Sequence, residues 1–468
     1  MRSSICLCLV FSSLLASCKV GPDFKLPDVL MPKGWKNGKA GDVSDLALPG
    51  EWWRLYGSSE LNRLVEQALT NNQELRGALA RVETARAMIG VQQSEMFPTL
   101  GMKSGTTYEY VSRSAFAANL PGGIPLPDTE RWRYQNVFEF GWEADLWGRV
   151  RRGVEGSRAA QAAAVETVAA HRLSLAAEVA RLFFLARSMD RQLGIVNETI
   201  NWRQEAVKLQ ESRFKGGLAN EMDVSRARTE LELARADLAA IQRQRGNAEN
   251  ALAVLTGQIP SAFRLSKTGS LPGLPRVPGG LPSTLLQRRP DIRAGEQQMR
   301  EANAKIGVAK ANFYPTFKIG GAGGLESIGA GHFIDARSKT LTAGPSLTLP
   351  IFQGGRLRAN LAASKARYEE TLAAYRQSIL KAIQEVEDSL LDVKGYSSQG
   401  AALRAAIAAA EETARLAQLR YEKGLASYFE VVEANRTMLS TKLLAEQVAG
   451  QRLVASAALL KALGGGWK

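Results

Sequence analysis

The sequence predicts a mixed fold in which membrane β-barrel strands are joined to a barrel of long coiled-coil helices, with two internal repeats. Three observations predict it. Sequence blocks recur in the same order in the two halves of the 468-residue chain. In each half, residues of alternating polarity mark a pair of strands. Each half then carries a proline-free stretch with apolar residues at heptad spacing, which is typical of long paired helices.

The N-terminus predicts an export signal over residues 1–17. Arg2 precedes a short apolar core from Ile5 to Ala16, as in secretory signal peptides. The tetrad Leu15-Ala16-Ser17-Cys18 resembles the bacterial lipobox, in which the cysteine is lipidated and becomes the mature N-terminus. Lys19 stands where an Asp retains lipoproteins at the inner membrane, which implies delivery to the outer membrane. The alternative is an ordinary signal peptide followed by an incidental cysteine.

Cysteine usage leaves little room for redox or metal chemistry. Of the three cysteines, Cys6 and Cys8 leave with the signal. The mature chain keeps only Cys18, so neither a disulfide nor a thiolate metal site is expected. We expect no metal and no cofactor other than the covalent lipid on Cys18.

The charge of the chain suggests nucleic acid as a partner, but its distribution does not. The formal net charge is +14, and a strongly basic protein attracts polyanions. The basic residues are nevertheless interleaved with acids, as in Arg81-Val-Glu83. This pattern indicates solvated helix faces, and we expect no nucleic-acid partner.

The two halves are copies of one unit. Two blocks recur at an offset of 217 residues and a later block recurs at 207, which places a ten-residue difference between Pro98 and Gly148. The glycine- and proline-rich loop Pro121–Pro127 lies in that interval. The recurring blocks are Ile89–Val91 with Ile306–Val308, Phe97–Leu100 with Tyr314–Phe317, and Gly148–Arg151 with Gly355–Arg358.

These offsets divide the chain into segments. The predicted division is a lipidated N-terminal segment at 18–57, repeat 1 at 58–259, a linker at 260–289 and repeat 2 at 290–468. Each repeat is predicted to hold a helix, a strand hairpin (about 98–146 and 315–352) and a long helical hairpin (about 149–255 and 356–463).

The strands fit either a soluble sheet or a membrane barrel. Phe138, Phe140 and Trp142 alternate with Glu139 and Glu143. The apolar side of such a strand meets a protein core in the first case and lipid in the second. The exported, lipidated context favours the barrel. Four strands cannot close a membrane barrel, and open strand edges are not tolerated in hydrocarbon, so the chain must oligomerise.

The helices are unusually long. Apolar residues at steps of three, four and seven run from Val168 to Ile200 inside a proline-free stretch that starts at Arg149. Roughly 65 residues at about 1.5 Å each span on the order of 100 Å. The second copy repeats this stretch, and we expect a weak point at Gly395–Gly400 because glycine disfavours helix.

An enzyme is poorly supported by the sequence. The chain has two histidines, His171 in an alanine-rich helix and His332 in a glycine-rich loop. Neither adjoins a nucleophile motif, and Gly320–Gly324 fits no phosphate-binding frame. We therefore expect no catalytic residues.

Together these features resemble the TolC-like outer-membrane factor family, in its lipidated branch that serves resistance-nodulation-division efflux pumps. The resemblance covers nearly the whole mature chain. It rests on Cys18–Phe24, Trp52-Trp53, Leu61, Trp142–Arg149, Arg288–Arg293, Phe313–Thr316, Gly344–Leu347, Leu349–Gly355 and Arg420–Leu425.

The resemblance implies a homotrimer with four strands per chain in one 12-stranded barrel, over a periplasmic tube of helices. It implies an exit duct of a tripartite efflux system, in the outer membrane and extending into the periplasm. A periplasmic adaptor and an inner-membrane pump would be the partners. The adaptor-docking tips would be the two helix-hairpin turns, with Arg213, Gly217, Leu218, Arg420, Gly424 and Leu425. For the glycines, a plain helix C-cap is the simpler explanation, and both explanations can hold.

The resemblance also implies a periplasmic gate formed by Asp223, Tyr421, Glu430 and Glu433. Three copies of Glu430 and Glu433 would form acidic rings that attract cations. The alternative is that acids in a first helical turn merely suit the helix dipole. Some family members carry Arg where this chain has Ala426, which leaves the latch undefined. The rival to the channel is a periplasmic coiled-coil lipoprotein scaffold without a pore.

Overall fold

A computed structural model describes residues 19–29, 31–37, 50–110, 130–267, 270–275 and 285–465. The signal segment 1–17, the lipidation candidate Cys18, the loop Pro121–Pro127 and part of the linker lie outside the described residues.

Four antiparallel strands form one sheet in the order β1-β2-β3-β4. They are β1 (Thr99–Tyr110), β2 (Glu130–Ala144), β3 (Thr316–Ser327) and β4 (Lys339–Thr348). Each repeat supplies one hairpin, and β2 pairs with β3 to join the two hairpins. β1 and β4 are the edge strands, so each has one side of its backbone without a partner strand within the described sheet.

The strand registers separate an apolar face from a polar one. Phe140 lies opposite Leu100 on β1 and Gly321 on β3, and Leu347 on β4 shares their face. Neighbouring positions point the other way, which places Glu139, Glu143 and Lys318 on the polar face. The side chains of Leu100, Phe140 and Leu347 on the apolar face are largely exposed in the single chain. This is the arrangement of a strand set with one face toward lipid and one toward water.

Two helical hairpins make up most of the chain. Short helices α1 (Ser59–Asn71) and α2 (Gln73–Ser94) precede β1, and α3 (Arg149–Lys215) with α4 (Glu221–Leu255) follows β2. In the second repeat α5 (Leu285–Arg288) and α6 (Pro290–Ala311) precede β3, and α7 (Arg356–Glu422) with α8 (Tyr428–Ala462) follows β4. Both α3 and α7 have 67 residues. Within the described segments, no helix has a stretch long and apolar enough to cross a bilayer.

The heptad seam of the first hairpin is buried as predicted. Val179 and Val196 are fully buried, and Leu193 and Ile200 pack with Leu231, Ala234 and Ile241 of α4. The expected weak point at Gly395–Gly400 is wrong, because α7 runs through it without a break. Near Gly400 the chain packs close to Val448 of α8, and tertiary packing of this kind outweighs a glycine penalty of about 1 kcal/mol.

The compact units of the fold do not coincide with the sequence repeats. One unit contains the sheet and comprises the N-terminal residues up to Pro27, Val82–Ala164 and Gly295–Tyr375. The other comprises Asp28–Arg81, Val165–Ala294 and Arg376–Lys468. Both units combine residues from both repeats, since each hairpin of one repeat packs on its counterpart in the other.

Buried arginines attach the irregular segments in each unit. In the sheet-containing unit, Arg152 is buried and donates to the Gly21 carbonyl (3.2 Å) and the Asp23 carboxylate (2.9 Å). In the other unit, Arg187 binds Glu60, Asp190 and Ser266. The planar guanidinium of arginine has several N–H donors on a long side chain, so it can bind carbonyl and carboxylate oxygens of an irregular segment that crosses the helix.

Candidate functional site

The two hairpin turns are built alike. α3 ends at Lys215; Gly217 in the following turn has φ +71°, and the Leu218 amide donates to the Arg213 carbonyl at 2.8 Å. α7 ends at Glu422; Gly424 in the following turn has φ +72°, and the Leu425 amide donates to the Arg420 carbonyl at 2.8 Å. These bonds form Schellman caps, in which glycine takes the left-handed conformation that other residues resist. The two predicted tip glycines therefore cap their helices in the structure, and whether the tips dock a partner stays a prediction.

The tips present leucine side chains and positive charge. Leu218 and Leu425 are both exposed at the turns. Arg213, Lys215 and Arg420 lie in the last turns of their helices, where cations interact favourably with the helix dipole. A partner surface suited to these tips would offer apolar pockets with carboxylates or carbonyls around them.

Tyr421 joins the second hairpin to the first. Its hydroxyl exchanges hydrogen bonds with the side-chain amide of Gln210 on α3, at 2.8 and 3.1 Å. The Arg213 guanidinium lies 4.8 Å from the centre of the Tyr421 ring. Gln210 is fully buried, so its amide depends on this hydroxyl for a partner.

Asp223 lies near a buried tyrosine rather than in a direct bond with Tyr421. Its backbone amide is capped by the Asn220 side chain at 2.8 Å. Burial raises the pKa of Tyr428 to about 12, and the nearby Tyr421, Glu230 and Asp223 add to the effect. The Tyr421 and Tyr428 ring centres are 5.6 Å apart. Burial thus keeps the Tyr428 hydroxyl protonated, and the Glu230 and Asp223 carboxylates act in the same direction while Arg203 opposes them.

Glu430 and Glu433 lie on one face of α8, at a groove that neither Tyr421 nor Gln210 lines. They line a groove of about 640 Å³ between α7 and α8, together with Leu416 and Phe429. Glu430 is 3.6 Å from Arg420, and Glu433 is 3.2 Å from Arg436. Both pairs are substantially exposed, so each carboxylate stays accessible to other cations. The predicted gate set therefore falls into two groups, Tyr421 with Asp223 and the two glutamates.

Sequence reasoning did not find the buried polar partners at this end of the hairpins. Arg203 and Glu230 form a buried ion pair at 2.9 Å, and burial lowers the pKa of the Arg203 guanidinium. Gln210 was missed as well. A polar residue at a seam position of a coiled coil was the available signal, since such positions are usually apolar.

The described residues contain no cluster of three or more histidine, cysteine, aspartate or glutamate side chains placed to hold a metal ion. His332 is exposed, 3.9 Å from Asp335.

Comparison with known proteins assigns this architecture. A family profile described as "Outer membrane efflux protein" matches residues 64–258 and 281–465. The chain is 32% identical over 469 residues to "Outer membrane protein OprJ" of Pseudomonas aeruginosa, covering 98% of this chain and 95% of the relative. It is 33% identical over 465 residues to "Toluene efflux pump outer membrane protein TtgI" of Pseudomonas putida, covering 97% and 96%.

The fold also matches a solved channel. The structure of the outer-membrane channel OprN superposes with a TM-score of 0.86 at 28% identity, covering 96% of this chain and all of that one. The predicted fold class, strand hairpins joined to long helical hairpins in a TolC-like protein, is therefore confirmed.

Proposed function

This chain belongs to the outer membrane efflux protein family, and from that premise we propose that three copies form the exit duct of a tripartite efflux pump. Membership makes the chain a subunit of an outer-membrane efflux channel. The trimer, its adaptor and pump, the lipid anchor and the gate are the proposed parts.

The sheet is the observation that requires the chain to assemble with further copies of itself. It has four strands, one apolar face and two edges without a partner strand among the described residues. Backbone groups at such edges cost several kcal/mol each in hydrocarbon, and the smallest membrane barrels have eight strands. Three copies, the number that the resemblance to the TolC-like family implies, supply twelve strands and leave no edge.

The hairpin tips support docking to a periplasmic adaptor. Each tip ends in a tight glycine turn with an exposed leucine and a nearby arginine. A rigid turn presents its side chains with little loss of entropy on binding. The adaptor would connect the duct to an inner-membrane pump.

The proposed gate uses the two groups of residues in separate roles. The Tyr421–Gln210 bond ties the second hairpin to the first, and Asp223 lies near Tyr428, whose ring centre is 5.6 Å from that of Tyr421. In a trimer, Glu430 and Glu433 would recur three times and bias the entrance toward cations. The lipid on Cys18 would add membrane attachment, although one chain alone binds only marginally.

The proposal is tested on the full-length chain purified from outer membranes. We expect a trimer that requires detergent for extraction, that resists dissociation in dodecyl sulfate, and that gives single-channel conductance in planar bilayers. Mass spectrometry of the mature N-terminus should find lipid on Cys18. A Cys18→Ala variant that is soluble and monomeric without detergent would contradict the channel and favour the pore-free scaffold.

A further inference from the structure

The internal duplication specifies how one copy of the chain meets the next. The inference rests on the proposed trimer and concerns the edge strands β1 and β4. Both hairpins have the same register after the repeat offsets are applied. Thr99 pairs with Gly141 and Thr316 with Thr348, and these pairs differ by 217 and 207 residues. The same offsets appear in the sequence blocks that flank the strands.

The seam between the hairpins within the chain is a template for the seam between chains. β2, the second strand of repeat 1, pairs with β3, the first strand of repeat 2. In a closed ring, β4 is the second strand of repeat 2 and meets β1, the first strand of repeat 1, in a neighbouring copy. The two seams thus join equivalent strands in the same order, and a barrel of even strand tilt requires the same stagger at both.

We propose that β4 of one copy pairs antiparallel with β1 of a second copy in the register that places Leu347 opposite Ser104. Within the chain, Phe140 lies opposite Gly321 and Gly141 opposite Gly320. Adding 207 to each β2 residue gives its counterpart on β4, and subtracting 217 from each β3 residue gives its counterpart on β1. The two pairs then become Leu347 with Ser104 and Thr348 with Lys103. The ladder extends over eight pairs, to Leu341 with Tyr110.

The proposed register keeps every side chain on its established face. Leu347 lies on the same apolar face as Phe140. Ser104 also lies on that face, because it pairs with Asn136, which is four positions from Phe140 on β2 and points the same way. Thr348 and Lys103 both lie on the polar face. A slip of one residue would place Leu347 opposite Lys103 and turn one strand's apolar side chains toward the polar face. A slip of two residues leaves every side chain on its face, but the seam between chains then has a different stagger from the β2–β3 seam within the chain.

An uncovered aromatic side chain lies at the end of the same seam. Tyr314 stacks under Trp147, with ring centres 4.8 Å apart, and Trp147 donates to the Pro315 carbonyl at 2.8 Å. The repeat counterpart of Tyr314 is Phe97, which is 67% exposed in the single chain. The counterpart of Trp147 is Gly354, where an added Cβ would meet open space. The register places Phe97 of one copy over Gly354 of the next.

Paired cysteines test the register. After the signal is removed, the chain has no cysteine other than Cys18, so new thiols report cleanly. Directly opposed residues have Cβ atoms about 4.5–5.5 Å apart, against about 7–8 Å for diagonal neighbours, and a disulfide needs about 3.5–4.5 Å. Opposed pairs alternate between wide and close geometry, so Leu347→Cys with Ser104→Cys and Thr348→Cys with Lys103→Cys include one close pair.

We expect at least one of these double variants to give a covalent ladder up to trimer under mild oxidation in membranes. Each single variant should give none, and neither should the shifted pair Leu347→Cys with Met102→Cys. Two results would overturn the register and leave the trimer standing. One is a covalent ladder from the shifted pair only. The other is a trimer by native mass without a ladder from either predicted pair. A covalent dimer from Ser104→Cys alone would indicate β1–β1 pairing and overturn both, as would a monomer by native mass.

Discussion

The Tyr421 hydroxyl and the Gln210 side-chain amide lie 2.8 Å apart, which joins α7 of the second hairpin to α3 of the first. The bond joins a hydroxyl to a side-chain amide, so no carboxylate takes part in it. It is buried at Gln210 and flanked by the Arg213 guanidinium over the Tyr421 ring. Opening the hairpin ends would require this bond to break.

Tyr421→Phe should therefore make the channel easier to open. The substitution removes the hydroxyl and leaves the buried Gln210 amide without its partner, which costs about 1–3 kcal/mol in the joined state. We expect a larger mean single-channel conductance or a higher open fraction in planar bilayers. Tyr396→Phe, on the same helix and with no side-chain hydrogen bond in the described structure, is the matched control. Equal conductance of both variants and the parent chain would rule out a latch role for Tyr421.

The two glutamates on α8 should control ion selectivity. Glu430→Gln with Glu433→Gln removes six carboxylates from a trimer while keeping their shape. We expect lower cation selectivity and weaker block by multivalent cations, because a ring of carboxylates concentrates cations at a constriction. Reversal potentials in asymmetric salt measure the first effect and blocker titrations the second.

Glu412→Gln is the control for that variant. Glu412 lies on α7 in an exposed ion pair with Arg415 at 2.7 Å, outside the groove that Glu430 and Glu433 line. Unchanged selectivity in the double variant, or an equal change in Glu412→Gln, would contradict the acidic rings. Glu430 and Glu433 would then only stabilise the first turns of α8 through the helix dipole.

The sequence predicted the fold well because its signals are local and repeated. Alternation specified the two faces of the strands, and the heptad seam around Val196 specified which side of α3 is buried. The Gly395–Gly400 prediction failed because a local propensity of about 1 kcal/mol is small beside the packing of a long hairpin. Packing against α8 is not visible in the sequence of α7.

The candidate site was less predictable. Tyr421 and Glu430 were identified through a family resemblance, which cannot say which side chain bonds to which. Gln210 has no motif, and its partner lies 211 positions away. The separation of Tyr421 from the two glutamates depends on how the hairpins pack. Such pairings become visible only when the helices are placed side by side.

Alkaline pH should loosen the hairpin end through Tyr428. Burial raises the pKa of Tyr428 to about 12 from a usual value of 10.0. Between these values the unfolded chain has released the proton that the folded chain keeps, so the stabilisation is complete below pH 10 and declines as pH rises to 12. Two pKa units correspond to at most about 3 kcal/mol.

Tyr428→Phe should flatten this dependence. We expect the unfolding midpoint of the detergent-solubilised parent chain to fall more steeply between pH 10 and pH 12 than that of Tyr428→Phe. Tyr396→Phe, at a half-buried tyrosine elsewhere on α7, is the control and should follow the parent chain. Parallel curves for all three proteins would contradict a raised pKa at Tyr428.

Arg187 should be far more important for stability than Arg181, six residues earlier on α3. Arg187 is buried and forms ion pairs with Asp190 at 2.9 Å and with Glu60, and its guanidinium also holds Ser266 of the linker. Arg181 forms an exposed pair with Glu178 one turn away. Removing one partner of a buried pair costs about 3–5 kcal/mol, whereas an exposed pair contributes about 0–1 kcal/mol.

Arg187→Ala should accordingly lower the thermal unfolding midpoint in detergent by several times the shift caused by Arg181→Ala. It should also increase proteolysis around Ser266, because the linker loses its attachment to α3 while Arg245 still binds Asp190 at 2.9 Å. Limited proteolysis followed by mass spectrometry locates the cleavage sites. Similar midpoints for the two variants would show that Arg245 alone is sufficient to pair with Asp190. Unchanged cleavage around Ser266 would show that Arg187 does not hold the linker.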